Sequence, residues 1–158
     1  MSSSSPPPAA PAAVAPFAPP FIHACQLWLE AFVRDQGGVA GTVHQRIDAE
    51  TLVLAASVNI PPPVQQIVGR IPKGKGMAGL AFEHNEPIAT CNIMDDVTGR
   101  VRPGAKAVNA QAAVAFPVPD GAGGVRAVVG VASANDRDLG QPELDALTAA
   151  ALSLPTLS

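Results

Sequence analysis

The 158-residue chain has no tyrosine, one tryptophan and two cysteines, and only 15% of its residues are charged. Aromatics at 4% leave no platform for single-stranded nucleic acid, where each stacked base is worth about 1–3 kcal/mol. Ten basic residues against thirteen acidic give a net charge of −3, the wrong sign for neutralising phosphates. No nucleic-acid partner is therefore expected. No apolar run approaches the roughly 18 residues of a membrane-spanning helix, so no membrane partner is expected either. Cys25 and Cys91 are too few for a disulfide framework or a four-cysteine zinc site. His23, His44 and His84 are scattered without metal-ligand spacing, and Asp95-Asp96 lacks the continuation of a calcium loop. No metal site is expected. The first 20 residues carry no basic segment, and Pro11, Pro16, Pro19 and Pro20 break their apolar stretch. They do not read as a signal peptide, and a reducing, cytoplasmic setting is the expectation.

What is present is apolar: 47% of the chain, enough for one core at this length. Residues 1–18 are Ser, Pro and Ala with Val14 and Phe17, and read as a disordered tail before a folded domain over 19–158. Phe21, Ala24, Cys25, Trp28, Leu29, Phe32 and Val33 recur at helical spacing. With Pro20 at the start and Gly37-Gly38 at the end, they predict a helix over 20–36. Residues 39–48 and 51–58 read as an antiparallel hairpin turned at Asp48-Ala49-Glu50. A short helix around Val64, Ile67 and Val68 follows, then a second over 77–83 and a short strand over 87–90. Residues 92–111 form a long polar connection, a length usual for functional loops. Strands over 112–118 and 125–132 flank a glycine-rich turn at 120–124, and Pro142 opens a last helix bearing Leu144, Leu147, Ala151 and Leu154. Paired strands joined by turns make this an α+β chain with one antiparallel sheet.

Two glycine motifs need a decision. Gly74-x-Gly76-x-x-Gly79 matches a dinucleotide fingerprint, but Pro72-Lys73 precedes it instead of a buried strand, and no βαβ unit surrounds it. It reads as a tight backbone turn against the sheet, or as backbone N–H groups lining a pocket. Gly69 to Gly76 fails as a phosphate loop because Gly76 has no hydroxyl for Mg²⁺. Charge is uneven: residues 70–106 hold six basic and four acidic residues, against four and nine elsewhere. That positive section on a negative protein suits a small anionic ligand, or else is solvated loop charge.

Several segments together resemble a GAF domain. Ile71-Pro72-Lys73-Gly74-Lys75-Gly76-Met77-Ala78-Gly79-Leu80-Ala81-Phe82 looks like that family's GxGxxGxAF segment. Glu86-Pro87-Ile88-Ala89, Asn92-Ile93-Met94-Asp95-Asp96, Ala115-Phe116-Pro117-Val118, Val128-Val129-Gly130-Val131-Ala132 and Glu143-Leu144-Asp145-Ala146-Leu147 resemble its later motifs in order. The resemblance spans about 20–154. It implies a central antiparallel sheet with the N- and C-terminal helices on one face. It also implies a small-molecule pocket on the other, under 60–111, and a homodimer through the terminal helices. On that reading the chain is a non-enzymatic sensory or regulatory domain whose output passes through a protein partner. Phe82, Cys91, Asp95, Arg100, Arg102 and Lys106 are the candidate ligand contacts. Arg100 or Arg102 would meet an anionic group, and Phe82 would wall the cavity. No cofactor is identified. Two alternatives stand beside it. A degenerate assembly module would have Ala-rich elements packed too closely for a ligand. A redox enzyme would use Cys91. GAF-like free methionine sulfoxide reductases carry a cysteine where this chain has Ala78, and residues 92–111 contain none.

Overall fold

The computed structural model describes residues 17–91, 112–133 and 141–155, with backbone alone for Thr90, Cys91 and Ala112. Its elements run α1 (Pro19–Asp35), β1 (Ala40–Asp48), β2 (Thr51–Val58), α2 (Pro62–Ile67), β3 (Arg70–Pro72), α3 (Gly76–His84), β4 (Ile88–Cys91), β5 (Ala112–Pro119), β6 (Val125–Ser133) and α4 (Gln141–Ala151). The six strands form one antiparallel sheet in the order β3-β2-β1-β6-β5-β4.

Helix α1 starts where two prolines pre-set φ, and no side chain caps it. Phe17, just before the N-cap Ala18, is buried with its ring 5.6 Å from that of Phe21. The contact fixes the entry angle of the chain, as a hydrophobic staple does. Phe17 thus packs against α1, and residues 1–16 of the expected tail lie outside the described residues. The helix ends in a Schellman turn. Gly37 takes φ +69°, its N–H reaches Arg34 O, and the N–H of Gly38 reaches Val33 O at 2.9 Å.

Alternation along β1, β5 and β6 divides the core in two. On one face Val43, Phe116, Val118, Val129 and Val131 meet Cys25, Leu29, Phe32 and Val33 of α1 and Leu147 and Ala151 of α4. Each fully buried Leu, Phe or Val contributes about 1.5–3 kcal/mol. The other face packs under α2, β3 and α3. A bulge where Val43 pairs with Ala56 but His44 pairs with Leu54 leaves Ala55 extra, and both alanines face the helix-side core. The hairpins fall within a residue or two of expectation. Strand β3 was not expected. It is a three-residue edge strand on Thr51–Val53, a place where Pro72 needs no ladder N–H.

Polar contacts lock the helical layer. Gln26 forms a two-way bridge with the Ser57 backbone at 2.8 and 3.2 Å, and Trp28 Nε1 donates to Ser153 Oγ at 2.9 Å. The last turn of α4 carries no basic residue of its own. Arg126, from β6, supplies the charge: its guanidinium donates to Leu154 O at 3.0 Å, Pro155 O at 3.2 Å and, weakly, Leu152 O at 3.5 Å. In the β5–β6 turn, the Asp120 carboxylate accepts the N–H groups of Ala122 and Gly124, which holds its pKa below the ordinary value. That contribution is present above the ordinary carboxylate range and is lost as pH falls through the depressed value.

Replacing Arg126 with Ala strips those carbonyls of their donor. Charge-assisted bonds contribute about 1.5–3 kcal/mol, less at a partly exposed site. Arg126→Ala is expected to cost about 1–2 kcal/mol in urea unfolding, with Arg126→Lys recovering only part because one ammonium cannot span three carbonyls. An unchanged midpoint would show that the grip on the C-terminal segment contributes nothing.

Candidate functional site

The face away from the terminal helices carries a pocket of about 110 Å³. Its floor is made of small side chains: Ala40 and Thr42 on β1, Ala113 and Ala115 on β5, Gly130 and Ala132 on β6. The same strands carry Val43, Phe116 and Val129 toward the helices. Over the pocket, side-chain size thus alternates with the pleat, larger toward the helices and smaller on this face. The roof is Ile60, Val64, Val68, Ile71, Met77 and Ala78, from α2, β3, α3 and the links between them. None of these six small side chains is long enough to meet the roof. At Gly130 a Cβ would stand 2.9 Å from Thr42 Oγ1, so the glycine makes room for its neighbour's hydroxyl.

His44 joins roof to floor. It is buried, lines the pocket, and its Nε2 lies 2.8 Å from Val68 O. A carbonyl can only accept, so Nε2 carries the proton. The N–H of Leu54 donates to Gly69 O at 2.9 Å beside it, so the chain leaving α2 is pinned to β1 and β2. Among the described residues the pocket wall holds no lysine, arginine or carboxylate, and its polar side chains are those of Thr42 and His44.

The glycine-rich segment is a self-contained turn. Gly74 and Gly76 take φ of +86° and +66°. The N–H of Gly74 donates to Gly79 O at 2.8 Å, that of Lys75 to Pro72 O at 3.1 Å, and that of Gly79 to Lys75 O at 3.0 Å. These three donors are engaged with the turn's own carbonyls, so the tight-turn reading holds for them. Gly79 lies so close to the backbone that a Cβ would stand 2.6 Å from Pro72 O. Lys73 anchors the outside of the turn. Its N–H donates to Glu50 O, and its ammonium lies 3.9 Å from the Glu50 carboxylate and 4.9 Å from the centre of the Phe82 ring.

Of the expected contacts, Phe82 is buried in the core of this face, beneath Lys73, but does not line the pocket. Cys91 ends β4 opposite Ala112, and its side chain lies outside the described residues. Asp95, Arg100, Arg102 and Lys106 lie outside them entirely. Arg70 and Lys75 of the positive section are exposed, and neither lines the pocket. Cys25 is fully buried on the helix side. Burial raises its thiol pKa, against the smaller opposing effects of Gln45 and Arg126. It is a packing residue, not a nucleophile. Sequence reasoning missed Thr42, His44, Met77 and the Ala/Gly floor. The small-large alternation of Ala113-Val114-Ala115-Phe116 and Val129-Gly130-Val131-Ala132 was the available signal.

Gly79→Ala tests the turn that seats α3 in the roof. The clash is with backbone, which must shift, at about 1–3 kcal/mol. A fall of roughly 3–10 °C in Tm is expected for a domain of this size. A wild-type Tm would mean the turn has slack.

No protein-family model matches the chain, and no curated protein matches it in sequence. Solved structures do match in fold. The GAF domain region of a Geobacter sulfurreducens PCA protein superposes with a TM-score of 0.69 at 12% identity, over 86% of this chain and 91% of that one. A type II free methionine-R-sulfoxide reductase from Thermoplasma acidophilum gives 0.61 at 12%, over 82% and 88%. A Sinorhizobium meliloti 1021 domain, described as part of a two-component sensor histidine kinase protein, gives 0.61 at 16%, over 82% and 83%. At these identities the likeness is one of fold: the chain has a GAF-like α+β fold, its terminal helices on one face of an antiparallel sheet and its pocket on the other.

Proposed function

We propose that the protein is a non-enzymatic sensory or regulatory domain of GAF type that binds a small molecule in the pocket between α2, α3 and the sheet. The observation that carries this reading is the pocket itself, about 110 Å³ over an Ala/Gly floor on a GAF-like fold. Concave, mostly apolar sites with one or two polar groups are the usual form of a small-molecule site. The Sinorhizobium neighbour, described as part of a sensor kinase, supports the sensory reading. The Thermoplasma neighbour is a reductase, so the fold also serves enzymes. Against that use here, Ala78 replaces a cysteine of that resemblance and Cys25 is sealed in the core. An anionic ligand held by Arg100 and Arg102 is the other ligand class for the same site.

A second reading rests on Leu27 and Leu152, which are 54% and 57% exposed on α1 and just past α4. Apolar side chains on the outside of the terminal helices suit a homodimer or a protein partner for output.

Native mass spectrometry of freshly purified protein tests both readings together. The ligand reading expects an added small mass that denaturation removes, and the dimer reading a two-chain mass that Leu27→Asp with Leu152→Asp converts to one chain. A bare chain that also gains no mass or stability from a metabolite extract would overturn the ligand reading. A single-chain mass at every concentration would overturn the dimer.

A further inference from the structure

We infer that the ligand of this pocket is a compact, uncharged, largely apolar molecule, about the size of one aromatic ring or a short branched chain, with at most one hydroxyl-sized polar group. The inference rests on the sensory reading above and specifies its ligand.

Three observations converge. The first is size. A core cavity of about 150 Å³ lined by aliphatic and aromatic residues takes up benzene, and a pocket of about 110 Å³ is of that order. The space enclosed by the described residues is far smaller than a nucleotide or a tetrapyrrole. The second is the chemistry of the wall. Val64, Val68, Ile71 and Met77 face Ala115 and Gly130, and among the described residues no cationic side chain lines the space. Among the described residues an anion seated there would find no charged partner to replace water, and the neutral Thr42 hydroxyl is a weak substitute. His44 Nε2 already donates to Val68 O. Lys73, on the roof segment, is held outside by Glu50 and the Phe82 ring. The third is the single polar position on the floor. Thr42 Oγ1 stands over Gly130, 2.9 Å from where a Cβ would be, and no hydrogen bond to that hydroxyl is made among the described residues. A ligand hydroxyl or N–H could meet it, while the remainder of the ligand touches the carbon and sulfur of the wall and the His44 ring. Met77, unbranched and polarisable, suits an aromatic ring edge or an irregular alkyl group.

The test is a titration followed by methyl resonances of Met77, Ile71, Val68 and Val64 in the full chain. Benzene, phenol and indole are the neutral probes; formate, nitrate and phosphate are the anionic ones. Saturable shifts with the neutral probes and none with the anions are expected. Ala115→Leu, which fills the floor, should weaken the neutral probes at least tenfold with the fold intact; Ala132→Val serves if the leucine variant fails to fold. Thr42→Val should weaken phenol several-fold and leave benzene unchanged. Saturation by anions alone would overturn the ligand class and leave the sensory reading standing. No shift with any probe would overturn both. Neutral binding indifferent to both floor-filling variants would overturn the site.

Discussion

Successive side chains of a strand point to opposite faces, so each central strand here serves two cores at once. In β1, β5 and β6 the two cores receive unequal volumes. The helix face takes Val43, Phe116, Val118, Val129 and Val131, and closes tightly against α1 and α4. Under the roof the opposite face takes Ala40, Ala113, Ala115, Gly130 and Ala132 and stays hollow, with the larger His44 and Val128 on the same strands. Native interiors are otherwise packed to crystal-like density, so unfilled space floored by three adjacent strands is a feature of side-chain size, not of loose folding. The architecture of the molecule and the existence of its pocket follow from this one asymmetry.

A hollow core needs a roof that does not fall into it. The roof elements are short, three to nine residues each, and could not stand alone as helices or strands. They are held by contacts to the sheet and to the β1–β2 turn instead. Lys73 ties the glycine turn to Glu50, Gly79 lets α3 lie on Pro72, and His44 and Leu54 pin the chain after α2 to the sheet. Strand β6 is common to both halves of the molecule. Gly130 and Ala132 floor the pocket, and Arg126 at the strand's beginning grips the carbonyls that follow α4. The pocket and the terminal helices therefore share one rigid element.

Much of the fold was legible in the residues. The Pro19-Pro20 start, the Gly37-Gly38 stop and the apolar spacing between them place α1 within a residue of where it stands. Turn residues at 48–50 and 120–124 set both hairpins. Strand β3 was illegible because three residues carry no alternation to read, and only the edge of β2 makes them a strand. The resemblance placed a pocket on the right face, but its lining was illegible for a different reason. Ala-rich strands read equally well as closely packed and cavity-free. The outcome depends on how far the roof stands off, which turn contacts distant in sequence decide. Residues that bear chemistry, such as Arg100, Arg102 and Cys91, attract attention in a sequence, whereas alanine and glycine shape a cavity by what they omit. Phe82 belongs to the right face, but its ring packs under Lys73 and not into the hollow.

The central claim is that the sheet's small-residue face leaves real, apolar, ligand-sized space beneath α2 and α3. A crystal of the full chain pressurised with xenon tests it directly, because xenon enters dry apolar cavities and scatters strongly. A xenon atom is expected over Gly130 and Ala115, in contact with Met77 and Val68. Xenon absent from that position, with a roof side chain packed down onto Gly130, would contradict it.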